Sequence, residues 1–204
     1  MLVDNKLLEE ERTFSSYFKL KYSARDIAEY FSYKFIKSEE LNWKKVKIDI
    51  SFLQSRLSVN ERYIDRDSEI AIREFVIAPI LMELINIKPF HIYPERYVEI
   101  QHNLKGYLDY LIETEDQDLL VIEAKEHNLS AGIKQIVAQL IAIDKAVEKD
   151  KLVTGVLTIG RTWILFRIDR ATKTIYQDFR EYSLPSDLEL LVSILNGIIH
   201  SQKD

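Results

Sequence analysis

Residues 119–159 constrain the fold more than any other part of the chain. An apolar run, LLVIEA, is followed by LSAGIKQIVAQLIAIDKAVEKD and then by a second apolar run, LVTGVLTI. The middle segment places Ile133, Ile136, Val137, Leu140 and Val147 on one face of a helix of about five turns. Strand, helix, strand in that order favours parallel strands joined by a right-handed crossover. Immediately upstream, GYLDYLIETEDQDLLVIEAKE, residues 106–126, reads as two apolar strands joined by an acidic turn about Asp116. Such a hairpin is antiparallel. A parallel pair sharing a strand with an antiparallel hairpin makes a mixed sheet flanked by helices, an α/β or α+β layer fold.

The other elements fit around this unit. The first sixty residues read as mainly helical, with SARDIAEYFSYKFIK as one helix capped by Ser23. LNWKKVKIDISFLQSRL alternates like a strand and then turns helical. A helix is expected over 68–85, capped by Asp67 and bent or interrupted at Pro79. ERYVEIQ reads as a short strand, Gly160-Arg161 as a tight turn into the strand TWILFRID, and TIYQDFREY as a further strand. Ser186 and Glu189 have capping-box spacing before a C-terminal helix. We therefore expect residues 1–60 to form a mainly helical N-terminal extension and residues 61–204 the main domain, together one compact unit.

Composition limits the functional classes. With 204 residues, 47% hydrophobic and 30% charged, the chain has an ordinary soluble profile and enough length for one sizeable core. No apolar run approaches the ~18 residues of a membrane span. The opening MLVDNKLLEEER lacks the basic region of a signal peptide. Absence of cysteine removes disulfides and thiolate zinc sites, and fits a cytoplasmic protein. A net charge of −5 excludes a strongly basic nucleic-acid binder, though not a clustered basic face. Glycine-rich phosphate loops, Gly-x-Ser-x-Gly and His-Glu-x-x-His are all missing.

The charges within the hairpin are the functional clue. Side chains alternate along a strand, so Glu123 and Lys125 share a face, as do Tyr107, Asp109 and Leu111. A turn about Asp116 sets Asp109 opposite Glu123, with Cβ atoms ~5 Å apart. Two carboxylates that close repel unless one keeps its proton or a cation lies between them. Oxygen ligands with an adjacent lysine and no cysteine suit Mg²⁺ or Mn²⁺. A divalent ion on two carboxylates, with an ammonium group beside it, is equipment for hydrolysing phosphodiesters. Taken alone, Glu-x-Lys is an ordinary solvated strand end. Lys44 and Lys45, beside Trp43, form a small basic cluster able to contact DNA phosphates.

Asp109…Glu123-Ala124-Lys125, set in a hairpin behind an acidic helix, resembles the PD-(D/E)XK nuclease superfamily, the restriction-endonuclease-like fold. The segment SEIAIREFVIAPILMELI resembles the first helix in the N-terminal nuclease region of type I restriction enzyme R subunits. The likeness covers about half of the chain. It implies an αβββαβ core over residues 67–159 and a Mg²⁺- or Mn²⁺-dependent nuclease acting on DNA in a restriction, defence or mobile-element setting. It further implies a metal held by Asp109, Glu123, the Ala124 carbonyl and Glu69, with Glu74 as the substitute for Glu69. Lys125 is then the catalytic lysine, and Gln135 a catalytic-site glutamine on the following helix. Gln139 becomes a DNA contact, standing where relatives often carry tyrosine; Leu108 replaces the proline that often precedes the aspartate. The implied partners are DNA, a motor or specificity subunit on another chain, and a second copy, with no membrane. The alternative is a catalytically silent nuclease-fold protein that binds nucleic acid or a protein partner.

Overall fold

The structure is a computed structural model that describes residues 10–38, 41–65, 67–116 and 118–200. The first nine residues, on which the absence of a signal peptide was read, lie outside the described residues. Seven strands form one sheet in the order β1-β7-β6-β5-β4-β3-β2. They are β1 (Lys34–Ser38), β2 (His91–Gln101), β3 (Leu104–Glu113), β4 (Leu119–Ala124), β5 (Val153–Thr158), β6 (Thr162–Asp169) and β7 (Thr174–Ser183). The β1/β7 and β4/β5 pairs are parallel and the rest antiparallel. All six residues of β4 and all six of β5 are buried, as befits the middle of a sheet covered on both faces.

Helices form a layer on each side. One layer holds α1 (Phe14–Tyr17), α2 (Ala24–Tyr30) and α5 (Leu129–Ala146). Ile136, Val137 and Leu140 of α5 join Leu111, Val121 and Leu157 of the sheet in one core. The other layer holds α3 (Ser51–Tyr63), α4 and α6 (Leu188–Ile199); α4 runs through Glu69–Ile72, Arg73–Ile77 and Ala78–Ile85. Its Ile72, Val76, Ile80 and Leu84 join Ile112, Leu120, Ile122 and Trp163 in the second core. The architecture is mixed α/β with flanking helices, as expected. From α4 onward the order is helix, three strands, helix, strand. Among the described residues no helix is long and apolar enough to cross a membrane.

Several expectations need correction. The helix expected from Ser23 ends at Tyr30, although Ser23 does cap it in a box with Asp26. Phe31 to Tyr33 turn the chain into β1, which pairs with β7. Among the described residues of the first sixty, Lys34–Ser38 therefore join the main sheet, while Phe14–Tyr17, Ala24–Tyr30 and the start of α3 are helical. Residues 41–50 have no regular structure and lie against α6. Ser68 caps α4 in place of Asp67, because its hydroxyl accepts from the Ala71 N–H at 3.1 Å, three residues on. Asp187, at the start of α6, spends its carboxylate on the Ser183 N–H and on Arg180, so no Ser186–Glu189 box forms. The strand read as ERYVEIQ extends over His91–Gln101.

Pro79 neither breaks nor ends α4. A π-helical turn, Arg73–Ile77, precedes it, in which the Arg73 carbonyl accepts from the Ala78 N–H, five residues on. Proline has no N–H for the Phe75 carbonyl, and Asn60 of α3 supplies one at 2.8 Å. The turn begins at Arg73, whose guanidinium reaches Asp109 on β3.

Gly197 of α6 lies against residues 41–50 so closely that a Cβ would sit 2.0 Å from the Lys44 carbonyl oxygen. Gly197→Ala should cost about 3 kcal/mol, or about 5–10 °C in Tm by thermal denaturation. An unchanged Tm would show that this segment does not pack on α6.

Candidate functional site

The hairpin register pairs Tyr110 with Ile122 and Leu111 with Val121, which makes Asp109 and Glu123 the next positions in line. The ladder stops there. In place of a backbone acceptor, the Asp109 carboxylate takes the Ala124 N–H, Oδ2 to N 2.7 Å. The pairing of β2 with β3 also skips one position, between Pro94↔Tyr110 and Arg96↔Leu108, where Glu95 adopts φ +51° opposite Asp109. Asp109 therefore stands where the sheet opens on both of its sides.

Glu123 is at the end of β4, 1% exposed. Two amides from α5 close on it: Gln135 Nε2 donates to Oε1 at 2.5 Å and Gln139 Nε2 to Oε2 at 2.6 Å. Spacing of four puts both amides on one helical face. The third donor is the Lys125 ammonium, 2.6 Å from Oε1. Lys125 also donates to the Ala124 carbonyl at 2.9 Å and lies 3.4 Å from Glu69 Oε2. Its stem runs under the first turn of α5, where a Cβ on Gly132 would come 3.3 Å from Lys125 Cγ and 2.9 Å from Leu157. Glycine there allows α5 to approach.

Asp109 has a second cation. Arg73 Nη1 is 3.4 Å from Oδ1 and also forms an ion pair with Glu95. Tyr110 donates its hydroxyl to the Arg73 carbonyl at 3.2 Å and stacks under the guanidinium at 5.4 Å.

Burial dominates the electrostatics. It raises the Glu123 carboxyl from its ordinary 4.5 to about 8, helped by the charge on Asp109 and opposed by Lys125 and Gln139. Asp109 is raised for the same reason, against the Ala124 N–H, Lys125 and Arg73. Burial works against the charge on Lys125, yet Glu123, Glu69 and Asp109 hold its pKa above the usual value. The Oε1 atoms of Gln135 and Gln139 are buried with no hydrogen-bond partner among the described residues. Rotating either amide would turn an acceptor toward a protonated Glu123, so the clamp can serve both forms of the acid.

The structure brings Asp109, Glu123, Lys125, Glu69, Gln135 and the Ala124 carbonyl together. Gln139 is fully buried against Glu123, away from the surface on which the expected DNA contact would lie. Gln135 likewise holds Glu123. Glu74 is exposed in a groove with Phe52 and Met82, which leaves Glu69 as the acid from α4. Lys44 and Lys45 do not join the site. Lys44 lines a mostly apolar cleft of about 230 Å³ with Leu119, Val153 and Ile168, at the opposite ends of β4 and β5. That is roughly 15 Å from Glu123 along the strand. Sequence reasoning missed Arg73 and Glu95 as partners of Asp109. Arg73 carried a signal, four residues after Glu69 on one helix face; Glu95, inside a strand-like run, carried none.

A metal must be tested against what is present. Among the described residues no three acids or imidazoles by themselves close on one point. The donor set nevertheless fits a hard divalent cation: Glu123 Oε1, the Ala124 carbonyl and Glu69 already converge on one positive charge, the Lys125 ammonium. The chain matches no protein-family model and no curated protein.

The raised carboxyl of Glu123 has a thermodynamic sign. Below pH 4.5 it is protonated folded and unfolded. Between 4.5 and about 8 only the folded form keeps the proton, so this contribution to stability is lost as pH rises across that window. In EDTA, the wild-type Tm should fall more between pH 5.5 and 8 than that of Glu123→Gln, whose amide the two glutamines can accommodate. Equal slopes in the two proteins would rule out a buried, proton-holding Glu123.

Proposed function

We propose that the protein is a divalent-metal-dependent nuclease of the PD-(D/E)XK type that hydrolyses phosphodiester bonds in DNA. The observation that carries this reading is the convergence of Glu123, the Ala124 carbonyl and Glu69 on a single cation, the Lys125 ammonium, beside the half-buried Asp109. On this reading Asp109, Glu123 and the Ala124 carbonyl hold Mg²⁺ or Mn²⁺, with Glu69 completing the set. The ion supplies neutralisation of the scissile phosphate and a hydroxide-like nucleophile at neutral pH.

The chain's own groups do the rest. Gln135 and Gln139 fix both oxygens of Glu123, so the ligand is oriented before substrate arrives. Lys125 leaves its internal carboxylates for the substrate and donates an N–H to the phosphate oxygen on which negative charge grows. Its position at the open end of β4 gives it that reach. DNA is the substrate in a restriction, defence or mobile-element setting within the cytoplasm. Motor or specificity functions come from another chain, and a second copy is a further partner. A second reading, favoured by the two internal ion pairs on Asp109 and Glu123, is a nuclease-fold protein that binds without cutting.

Plasmid incubated with Mg²⁺ or Mn²⁺ should be cleaved, and EDTA should abolish the cleavage. Lys125→Ala, Asp109→Asn and Glu123→Gln should each lower the rate by about 10²–10³-fold. DNA binding without cleavage in either metal would sink the catalytic reading in favour of the silent binder. Gln139→Ala should weaken Mn²⁺ binding by about 10–100-fold while DNA affinity in EDTA stays unchanged. A fall in that metal-free DNA affinity would restore Gln139 as a DNA contact.

A further inference from the structure

The guanidinium of Arg73 occupies a position that the proposed chemistry does not use. It sits on Asp109 Oδ1 at 3.4 Å, on the acid that the metal would share, while Oδ2 is tied to the Ala124 N–H at 2.7 Å. Its other partner is Glu95, which reaches it from an unusual φ of +51°. Its backbone is fixed as firmly: it opens the π-helical turn, its carbonyl accepts from the Ala78 N–H and the Tyr110 hydroxyl, and Tyr110 stacks beneath it. Helical turns of this kind often mark functional positions. Arginine keeps its charge at every accessible pH, and Asp109 and Glu95 reinforce it against the cost of burial.

Charge balance gives this placement a consequence. Glu69, Glu95, Asp109 and Glu123 face two cations, Arg73 and Lys125. With the acids ionised the group carries two negative charges, which one divalent ion neutralises. Two-metal hydrolases set their ions about 3.5–4 Å apart on a shared carboxylate. Here the outer side of Asp109, a carboxylate that the proposed ion would share with a second one, already faces a permanent cation. Glu123 already takes Gln135 and Lys125 on Oε1 and Gln139 on Oε2, which leaves it fewer free lone pairs than Asp109 to share between two ions.

We propose that Arg73 stands in for a second metal ion, so that the site takes up one divalent cation and Arg73 neutralises the far side of Asp109. Arg73 is then a positioning residue that sets the metal stoichiometry. The inference rests on the nuclease reading for the existence of the first ion, and goes beyond it in counting ions.

The test is a titration of the full chain with Mn²⁺ alone, without DNA, reading free Mn²⁺ by electron paramagnetic resonance. Wild type should bind one ion. Arg73→Met, similar in length but uncharged, should bind two, and Arg73→Lys should remain at one. Two ions on wild type, or a single ion on Arg73→Met, would overturn the inference while leaving the nuclease reading in place. No Mn²⁺ uptake by wild type removes the metal site, and the inference with it. Should Arg73→Met not fold, the wild-type count and Arg73→Lys still decide: a second ion on either overturns it.

Discussion

A carboxylate at the centre of a packed protein is the condition around which the rest of this molecule is arranged. Glu123 is the penultimate residue of a strand whose other five residues are apolar and buried, so its ionised form meets the full penalty of burial. Three donors offset that penalty, and each needs a particular element in place. The two glutamines require α5 to cross that face of the sheet with residues 135 and 139 turned inward. Lys125 requires the chain to leave β4 at once, and Gly132 allows α5 down onto its stem. The strand–helix–strand crossover is thus both the main folding unit and the frame of the site. Displacing α5 would expose apolar core and strip the acid of its donors together.

The sequence made the frame legible because the frame is periodic. Alternation placed Asp109 and Glu123 at facing positions, and a turn about Asp116 is the register observed. Helical spacing put Gln135 beside Gln139. What escaped was aperiodic. The apolar run through Tyr30, Phe31, Tyr33 and Phe35 satisfies a helical face, yet Ser32 at φ +66° ends the helix and releases β1 to pair with β7, about 140 residues away. A partner that distant leaves no local trace. Gln139 illustrates a different blindness: spacing put it on the correct face, but a face does not reveal whether the residue points at DNA or at a buried acid two elements away.

The site also lies where regular structure gives way. The β3/β4 ladder ends at Asp109, β2 takes a positive φ at Glu95, and α4 widens into a π turn at Arg73. A regular ladder would bind the Ala124 N–H to a backbone carbonyl and leave Asp109 nothing to hold it. A regular α-helix through Pro79 would drive the proline ring against the Phe75 carbonyl. Irregularity costs of order 1–3 kcal/mol for each strained residue, and here the departures converge on one carboxylate. The π turn ends two residues before the proline, and the sequence showed only the proline.

Net charge acquires a geometry as well. One flank of the site is a polar cleft lined by Glu61, Asp65, Asp67 and Glu126, with Arg161 as the one basic side chain among its described lining residues. Glu126 follows Lys125 directly, so the acidic wall begins at the edge of the site. On the nuclease reading a phosphate backbone is repelled from that flank. The opposite flank is the β2–β3 hairpin, where Tyr97 and Tyr107 stand exposed as a cross-strand pair with ring centroids 5.1 Å apart. Tyr107 is two residues before Asp109 on β3, and Arg96, next to Tyr97 on β2, is exposed. An acidic protein therefore need not present a broad basic surface to bind a polyanion. On the nuclease reading, a repelling wall on one side, with aromatic rings and a few cations on the other, would set the direction from which a nucleic-acid strand reaches Lys125.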